Sequence, residues 1–345
     1  MDKSPAVLLS YDSVGPQFPI SEQCEMPKIT VTATFQNITP DPKSPLQFQW
    51  KVTLAFTGQG CVHSLSRVIK HPDIVQVTST NKFTIPFSQI RGGNLMISLI
   101  VRVGTVTLTA QSQNLQVTGT NPSVGALLSA TPNNDAFKKL MRIESGLSQF
   151  LSPTCPYFSE DDYGGVGICQ VTDPAPTDDQ VWSWKENVKA GWQLYQQKEK
   201  AARGYPAHVR NSVEFQTLVT AYNNQRLAKS TAAASTAGGG QARTSNEAPP
   251  KPLLIELPDY TPDQLQRDTI RGYNGYAGGL HEYRVKVDEN GLLGVTEDAT
   301  GTKGTAEWEV ITAAERTAYY DKINLPKKKR GDPNYVEDVE AKPSF

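Results

Sequence analysis

The sequence predicts a multidomain protein, with an all-β N-terminal domain followed by a mainly α domain, on three observations. Its 345 residues suffice for about two domains. Residues 28–117 alternate apolar and polar side chains as β-strands do, whereas most segments after residue 122 repeat apolar residues at helical spacing. Between the two patterns, Gly119–Ser123 contains an Asn-Pro turn signal. We therefore predict domains over residues 1–121 and 122–345.

The N-terminal domain is predicted to be an immunoglobulin-like β-sandwich. Its short segments are rich in Val, Ile, Thr and Phe and are separated by Gly, Pro and Asn, which is typical of strands joined by turns. About seven strands in about 100 residues is the usual size of such a sandwich. This domain shows no catalytic constellation, so we expect a spacer or a binding module. The clearest predicted strands are Lys28–Gln36, Leu46–Phe56, Asn81–Phe87, Asn94–Val103, Thr105–Ala110 and Asn114–Thr118.

The C-terminal domain is organised around a predicted helix within Asn134–Gln149. Its apolar residues fall on one helical stripe, and Glu144 occupies a place on that stripe where another apolar residue is expected. Gly146 is predicted to end the helix, which places Glu144 in the last turn, near a surface or cleft. A carboxylate half-buried on such a face has its pKa raised by desolvation and suits a general acid. The alternative is a solvated glutamate at the edge of the stripe.

The segments that follow continue the mainly α pattern. Gly164–Thr172 is rich in glycine, which allows the backbone to approach a ligand or another segment closely. Thr177–Gln180 is a capping box that begins a helix predicted to run to about Ala202. A further helix is predicted over Ser212–Lys229. Ser230–Pro252 has low complexity and almost no large apolar residues, so we predict a flexible insertion there.

A small β insertion is predicted in the last third of the chain. It follows a helix that begins at Thr261-Pro262. Gly272–Gly279 then has two interpretations, a turn between strands or a loop of a binding cleft that carries Tyr273 and Asn274. The predicted strands are His281–Asp288, Gly294–Thr296 and Glu307–Ile311, and a helix over Thr312–Ile323 follows them.

Composition and charge exclude several classes of protein. The formal net charge of −1 gives no electrostatic footprint for nucleic acid. No apolar run approaches the roughly 18 residues of a transmembrane segment. The N-terminus lacks the features of a secretory signal, so we expect synthesis in the cytoplasm. Neither a CxxC nor an HExxH motif is present, so we predict no metal site and no cofactor.

The four cysteines leave two alternatives open. Cys24 and Cys61 lie in one predicted domain, and Cys155 and Cys169 lie in the other. Each pair is compatible with a disulfide in an oxidising compartment, or with two buried thiols.

The motifs of the C-terminal domain, in this order, resemble those of the lysozyme-like lytic transglycosylases, which are related to goose-type lysozymes. Glu144-Ser145 resembles the opening Glu-Ser pair of that family. Gly167–Gln170 resembles its Gly-Leu-Met-Gln motif, with Ile168-Cys169 in place of Leu-Met. Asn187-Val188, followed by Gly191, resembles its third motif.

The fourth motif of the family, Ala-Tyr-Asn, has two candidates in this chain. They are Ala221–Asn223 and Gly272–Asn274. We prefer the second, because glycines follow it and because Asn334–Val336 further on resembles the closing Asn-Tyr-Val of the family.

The resemblance implies cleavage of the β-1,4 bond between N-acetylmuramic acid and N-acetylglucosamine in peptidoglycan. Glu144 would be the general acid and base, and the products would carry 1,6-anhydromuramoyl ends. Ser145, Gln170, Tyr273 and Asn274 would bind the substrate. The implied partner is the glycan strand at the bacterial cell wall. A protein without a secretory signal would reach the wall through a phage particle or a secretion system, and an inhibitor protein is a further expected partner.

Two other functions remain open at this stage. A hydrolytic, goose-type-like lysozyme would use Asp161, Asp162 or Asp173 as a second carboxylate. In ordinary glycosidases that carboxylate lies about 5–5.5 Å or about 6.5–9.5 Å from the acid. A non-catalytic peptidoglycan-binding protein, or an adhesion protein that acts through the sandwich, is the other alternative.

Overall fold

The structure, a computed structural model, describes residues 4–12, 15–58, 61, 69–159, 164–236 and 251–344. The chain forms two compact units. The first contains residues 1–193 with 344–345, and the second contains residues 194–343. Asp161 and Asp162 lie outside the described residues, as does most of the predicted insertion at 230–252.

Two β-sheets form the first part of the first unit. One has the strand order β1-β3-β7, and the other has the order β2-β10-β8-β4-β5, with β6 also paired to β4 and β9 to β8. All these pairs are antiparallel except β2 with β10. The strands are β1 (Ala6–Tyr11), β2 (Gln17–Pro19), β3 (Thr30–Gln36), β4 (Phe48–Phe56), β5 (Ile69–Lys70), β6 (Ile74–Thr78), β7 (Lys82–Thr84), β8 (Gly93–Val103), β9 (Val106–Gln111) and β10 (Leu115–Thr118).

The two sheets enclose one apolar core. Along β4, buried residues alternate with more exposed ones, so that one face of the strand lines the core. Trp50 of β4 is fully buried, and its ring stacks on Phe83 of β7 with a centroid distance of 5.4 Å. Five of the six predicted strands coincide with observed strands of nearly the same length, whereas Asn81–Phe87 contains the shorter β7. The two-sheet arrangement is compatible with the predicted immunoglobulin-like sandwich, which stays a prediction.

The same core extends beyond the predicted domain boundary at residues 121 and 122. Phe56 of β4 contacts Phe158 and Trp182, with ring centroids 6.0 and 5.6 Å apart. Both of these aromatic residues are almost completely buried. The first compact unit therefore includes residues that the sequence analysis assigned to the second domain, because they complete the core of the sheets.

Helices and a hairpin complete the first unit. They are α1 (Val124–Ala130), α2 (Asp135–Ser145), β11 (Phe150–Ser152), β12 (Cys155–Pro156), α3 (Asp178–Trp182) and α4 (Trp184–Arg210), and α4 ends in the second unit. The helix predicted from Thr177 is interrupted at Ser183, which has extended backbone angles. The interruption allows both Trp182 and Trp184 to be buried, since residues two apart on one continuous helix do not share a face.

The disulfide joins Cys61 to Cys155. Neither of the two pairings considered, Cys24–Cys61 and Cys155–Cys169, is formed, and Cys24 and Cys169 are buried cysteines outside any disulfide. The observed bond crosses the predicted domain boundary. Considering only cysteine pairs within one predicted domain therefore could not identify the Cys61–Cys155 bond.

The second unit combines helices with two small sheets. Its elements after α4 are α5 (Val213–Thr236), β13 (Leu254–Glu256), α6 (Pro262–Tyr273), β14 (Tyr283–Val285), β15 (Val295–Glu297), β16 (Lys303–Ala306), β17 (Trp308–Val310), α7 (Ala313–Lys322) and α8 (Tyr335–Glu340), with short 3-10 helices at Ala277–Gly279 and Lys327–Lys329. The sheets have the orders β13-β16-β15 and β14-β17. Residues 230–236 belong to α5 and not to a flexible insertion, because alanine favours the helix. Among the described residues, no helix has the length and apolar character needed to cross a membrane.

We expect His71 to make the first unit less stable in mild acid. The side chain is buried, with Nδ1 3.1 Å from Oδ2 of Asp178. Burial lowers the pKa of His71, and so does Arg91, while Asp178 opposes them. The unfolded chain therefore takes up the proton first as the pH falls below about 6.5, and the free energy of unfolding decreases there.

Urea unfolding between pH 7.5 and pH 5 measures this effect. The wild type should lose more stability over this range than a His71→Gln variant. His208→Gln, which replaces an exposed histidine, is the control and should follow the wild type. An equal loss in the wild type and in His71→Gln would contradict the assignment.

Candidate functional site

Glu144 lies in the last turn of α2, as the sequence predicts. The Asn134 side chain accepts the Phe137 N–H at 2.8 Å and so caps the start of this helix. Gly146 ends the helix with a φ of 61°, in the left-handed region that glycine adopts without strain. The Glu144 side chain is half-buried. Its carboxylate is therefore fixed to a helix end and retains access to the surface.

Ser145 joins the end of α2 to the Gly-rich segment. Its buried hydroxyl donates a hydrogen bond to the Ile168 carbonyl oxygen at 3.0 Å and accepts the Ser148 N–H at 3.2 Å. These contacts give Ser145 a structural role at the site. Its predicted contact with substrate stays a prediction.

The Gly-rich segment forms a tight turn that we call the Gly167 turn, residues 164–171. Val166 and Val171 exchange backbone hydrogen bonds of 3.2 Å across it. Gly167 has a φ of 72°, and a Cβ atom added to it would lie 2.4 Å from Oε1 of Gln149. The turn therefore requires glycine at this position, both for its conformation and for its packing.

Two buried side-chain amides hold the Gly167 turn in place. Oδ1 of Asn187 accepts the Cys169 N–H at 2.9 Å, and Nδ2 donates to the Val166 carbonyl at 2.8 Å. Oε1 of Gln149 accepts the Ile168 N–H at 3.3 Å, and Nε2 donates to the Val181 carbonyl at 2.9 Å. Asn187 and Gln149 are both fully buried. Sequence reasoning found Asn187 through the family resemblance and missed Gln149, which no motif marks.

Gln170 lies at the end of the same turn. Its φ is 46°, and a non-glycine residue in this region costs about 1–3 kcal/mol and is often found at functional sites. Nε2 donates to the Gly167 carbonyl at 2.8 Å, and the side chain is half-buried. The structure thus brings the first three predicted motifs, at Glu144-Ser145, Gly167–Gln170 and Asn187, into one hydrogen-bonded cluster.

Asp173 is the candidate second carboxylate that the structure describes. It is exposed and lies two residues after the Gly167 turn. Asp161 and Asp162, the other two candidates, lie outside the described residues.

Tyr273 and Asn274 belong to the second unit and mark the end of α6. Tyr273 is the last residue of this helix, and Asn274 is its C-cap. Gly275 follows with a φ of 94°. The Asn-Gly pair is therefore a helix end and not a hairpin turn. Oδ1 of Asn274 is buried without a hydrogen-bond partner among the described residues.

Arg271 connects the fourth and fifth predicted motifs. Its guanidinium donates to the carbonyls of Asp332 and Pro333 at 2.6 and 2.9 Å, directly before the Asn334–Val336 motif. Nε of the same group donates to Oε2 of Glu282 at 3.0 Å. Tyr335 and Val336 are buried at the start of α8. The end of α6 and the start of α8 are thus held together through one arginine.

Glu282 is the buried anion of this region. Besides Arg271, it accepts hydrogen bonds from Arg316 at 2.7 Å and from Arg267 at 3.1 Å. Glu282, Arg271 and Arg316 are each at most 1% exposed. A charge so far from water is stable only with such partners. The second unit therefore depends on this carboxylate.

The other candidate for the fourth motif, Ala221–Asn223, has a structural role. Oδ1 of Asn223 accepts the Leu253 N–H at 2.7 Å, and Nδ2 donates to the Leu253 carbonyl at 3.1 Å. The Asn223 amide is therefore used to fix the segment that enters β13.

Asp268 and His281 form an acid–base pair that sequence reasoning missed. Oδ2 of the fully buried Asp268 lies 2.8 Å from Nδ1 of His281. The imidazole ring lies between Tyr205 and Tyr276, with centroid distances of 3.6 and 4.0 Å. Burial, and then Asp268, raises the pKa of Tyr276. The two residues are 13 positions apart and come from different elements, so no local pattern joins them.

Comparisons of the chain with models of known protein families, with characterised proteins and with solved structures find no match. The resemblance to lytic transglycosylases therefore rests on the residues of this chain. No group of three or more potential metal ligands occurs in the part of the chain that the structure describes.

Replacing Gly167 by Ala should disrupt the Gly167 turn. The left-handed backbone costs about 1–2 kcal/mol, and displacing the Gln149 amide leaves buried polar groups unpaired at about 1–3 kcal/mol. Gly146→Ala is the matched control, because its φ is also positive but nothing lies within 4 Å of an added Cβ atom. Urea unfolding should show a loss of about 3 kcal/mol for Gly167→Ala and about 1 kcal/mol for the control. Equal losses would argue against close packing at Gly167.

Replacing Glu282 by Gln should destabilise the second unit strongly. The change leaves buried arginines without their anion, at a cost of about 3–5 kcal/mol. Glu309→Gln removes one of the two carboxylate partners of the half-exposed Arg284 and should cost about 1 kcal/mol or less. Chemical denaturation of both variants measures the difference. A loss below about 1 kcal/mol for Glu282→Gln would show that the buried carboxylate is dispensable.

Proposed function

We propose that the protein is a peptidoglycan-cleaving lytic transglycosylase in which Glu144 is the general acid and base. One observation carries the proposal. The Ser145 hydroxyl and the amides of Gln149 and Asn187 hold the Gly167 turn against the end of the helix that carries Glu144. Three motifs that resemble those of lytic transglycosylases are thereby joined by hydrogen bonds next to Ser145, the residue that follows Glu144.

The chemistry needs a single carboxyl group that both donates and accepts a proton. Glu144 first protonates the oxygen of the bond between N-acetylmuramic acid and N-acetylglucosamine, and the bond breaks. The resulting carboxylate then removes the proton of the muramoyl 6-hydroxyl, whose oxygen attacks the anomeric carbon. A 1,6-anhydro ring closes, and no water is consumed. The fixed position of a helix end suits a group that acts twice in one reaction.

The proposal assigns substrate binding to Gln170, Tyr273 and Asn274, with Ser145 in support. Gln170 supports this assignment by its half-buried amide at the end of the Gly167 turn, since amides suit the N-acetyl groups of the sugars. The partner is the glycan strand of the bacterial wall. The Cys61–Cys155 disulfide favours action in an oxidising compartment.

A hydrolytic lysozyme is the second candidate function. Asp173 favours it, because this exposed carboxylate lies just after the Gly167 turn. A second carboxylate would activate water, which would then replace the 6-hydroxyl as the attacking group.

Mass spectrometry of the soluble products released from purified peptidoglycan tests the proposal. The wild type should release muropeptides with 1,6-anhydro ends, which are lighter than the hydrolytic products by the mass of one water molecule. Glu144→Gln should release none above background, because an amide cannot donate and regain the proton. Glu186→Gln, a glutamate of the same unit that pairs with Lys189 on the surface, is the matched control and should retain activity.

The other outcomes are equally decisive. Activity retained by Glu144→Gln would refute the mechanism. Hydrated reducing ends would make the protein a lysozyme, and Asp173→Asn would then be expected to lose activity. Binding of peptidoglycan without any product from the wild type would identify a non-catalytic wall-binding protein.

A further inference from the structure

The Cys61–Cys155 disulfide connects the large sheet to the segment that supports the Gly167 turn. Cys61 follows β4, the strand paired to β8 at the centre of the large sheet, and packs against the apolar core. Cys155 begins β12, which pairs with β11. The bond therefore fixes the hairpin of β11 and β12 to the segment that follows β4, through a covalent link between residues 94 positions apart.

The segment that follows this hairpin is hydrogen-bonded both to Gln149 and to the Gly167 turn. The Tyr157 N–H donates to the Gln149 carbonyl at 2.9 Å. The Tyr157 carbonyl accepts the Gly167 N–H at 2.8 Å. Two residues further on, Ser159 and Gly165 are joined by the Ser159 N–H to the Gly165 carbonyl and by the Gly165 N–H to the Ser159 hydroxyl, both at 2.9 Å. Residues 155–159 therefore connect the disulfide to the Gly167 turn through the backbone and these hydrogen bonds.

We propose that the Cys61–Cys155 disulfide is a redox switch that orders the Gly167 turn, and with it the site at Glu144, only in an oxidising compartment. The regulatory part of this inference rests on the proposed wall-cleaving function. In the reducing cytoplasm the two thiols stay reduced. The segment at 155–159 then has no covalent attachment to the chain that follows β4, and the site is inactive. The protein becomes active when it reaches the compartment that contains the wall.

The switch closes by thiol–disulfide exchange with a small disulfide such as glutathione disulfide. The Cys61 thiolate, the less buried of the two, attacks one glutathione sulfur and releases the first glutathione as its thiolate. The Cys155 thiolate then attacks the sulfur of Cys61 in the mixed disulfide and releases the second glutathione. The two protein thiols lose two electrons and two protons in total, and glutathione disulfide is reduced to two molecules of glutathione.

Hydrogen exchange and wall cleavage, measured on the oxidised and the dithiothreitol-reduced full chain, test the proposal. Thiol titration under denaturing conditions should first find only Cys24 and Cys169 reactive in the oxidised protein, and all four cysteines after reduction. Reduction should then speed amide exchange in residues 157–159 and 164–168 by about tenfold or more, because a covalent restraint on local opening is lost. Release of soluble muropeptides should fall by about tenfold or more, since small displacements in a site cost this much. Both changes should reverse on reoxidation.

Variants separate this disulfide from other effects of the reductant. The double variant Cys61→Ser and Cys155→Ser should match the reduced wild type with or without dithiothreitol. Cys24→Ser, which replaces a buried free thiol of the same unit, should respond to reduction as the wild type does. Far-UV circular dichroism checks that each protein remains folded, and the reversible reduction of the wild type tests the switch even where the double variant does not fold.

Each remaining outcome overturns one specific statement. Equal exchange in residues 157–159 and 164–168 of the oxidised and reduced proteins would overturn the switch, whatever the activity. Faster exchange with unchanged activity would overturn it as well. The absence of products from the oxidised wild type would instead refute the proposed function, and the exchange data would then still decide whether the disulfide orders the Gly167 turn.

Discussion

The buried backbone of the Gly167 turn sets the main constraint on the first unit. A turn in the interior carries N–H and carbonyl groups that water cannot reach, and each group left unpaired costs free energy. Asn187 and Gln149 meet this need, because a side-chain amide both donates and accepts. The same amides leave no room for a side chain at position 167. The geometry of the Gly167 turn therefore follows from the hydrogen bonding of its surroundings.

The second unit differs from the first, because several of its buried side chains carry full charges. Glu282 is surrounded by three arginines, and Arg271 among them also binds the carbonyls before α8. Replacing such a cluster by apolar residues is often neutral for stability, whereas removing one member is costly. The cluster therefore defines one arrangement of α6 and α8. Tyr273 and Asn274 lie at the end of this same α6.

The apolar core and the disulfide together give the sheets a role beyond that of a spacer. Phe158 and Trp182 complete the core of the sheets, and the Cys61–Cys155 bond attaches the neighbouring hairpin to the segment that follows β4. The β-rich part thus supports the segment from which the Gly167 turn is built. Because these residues pack with the sheets, the first compact unit continues beyond the strands, to residue 193.

The sequence by itself determined most of the local elements and several of their ends. The caps at Asn134, Thr177 and Thr261, the stop at Gly146 and most strands depend on residues a few positions apart, so local patterns predict them. Only the tertiary structure decided the Cys61–Cys155 pairing, the part played by Gln149 and the pair of Asp268 with His281. These contacts join residues that only the folded chain brings together. The polar ones form because buried polar groups need hydrogen-bond partners, and the disulfide requires the two thiols to lie close together. Local periodicity carries no information about such partners.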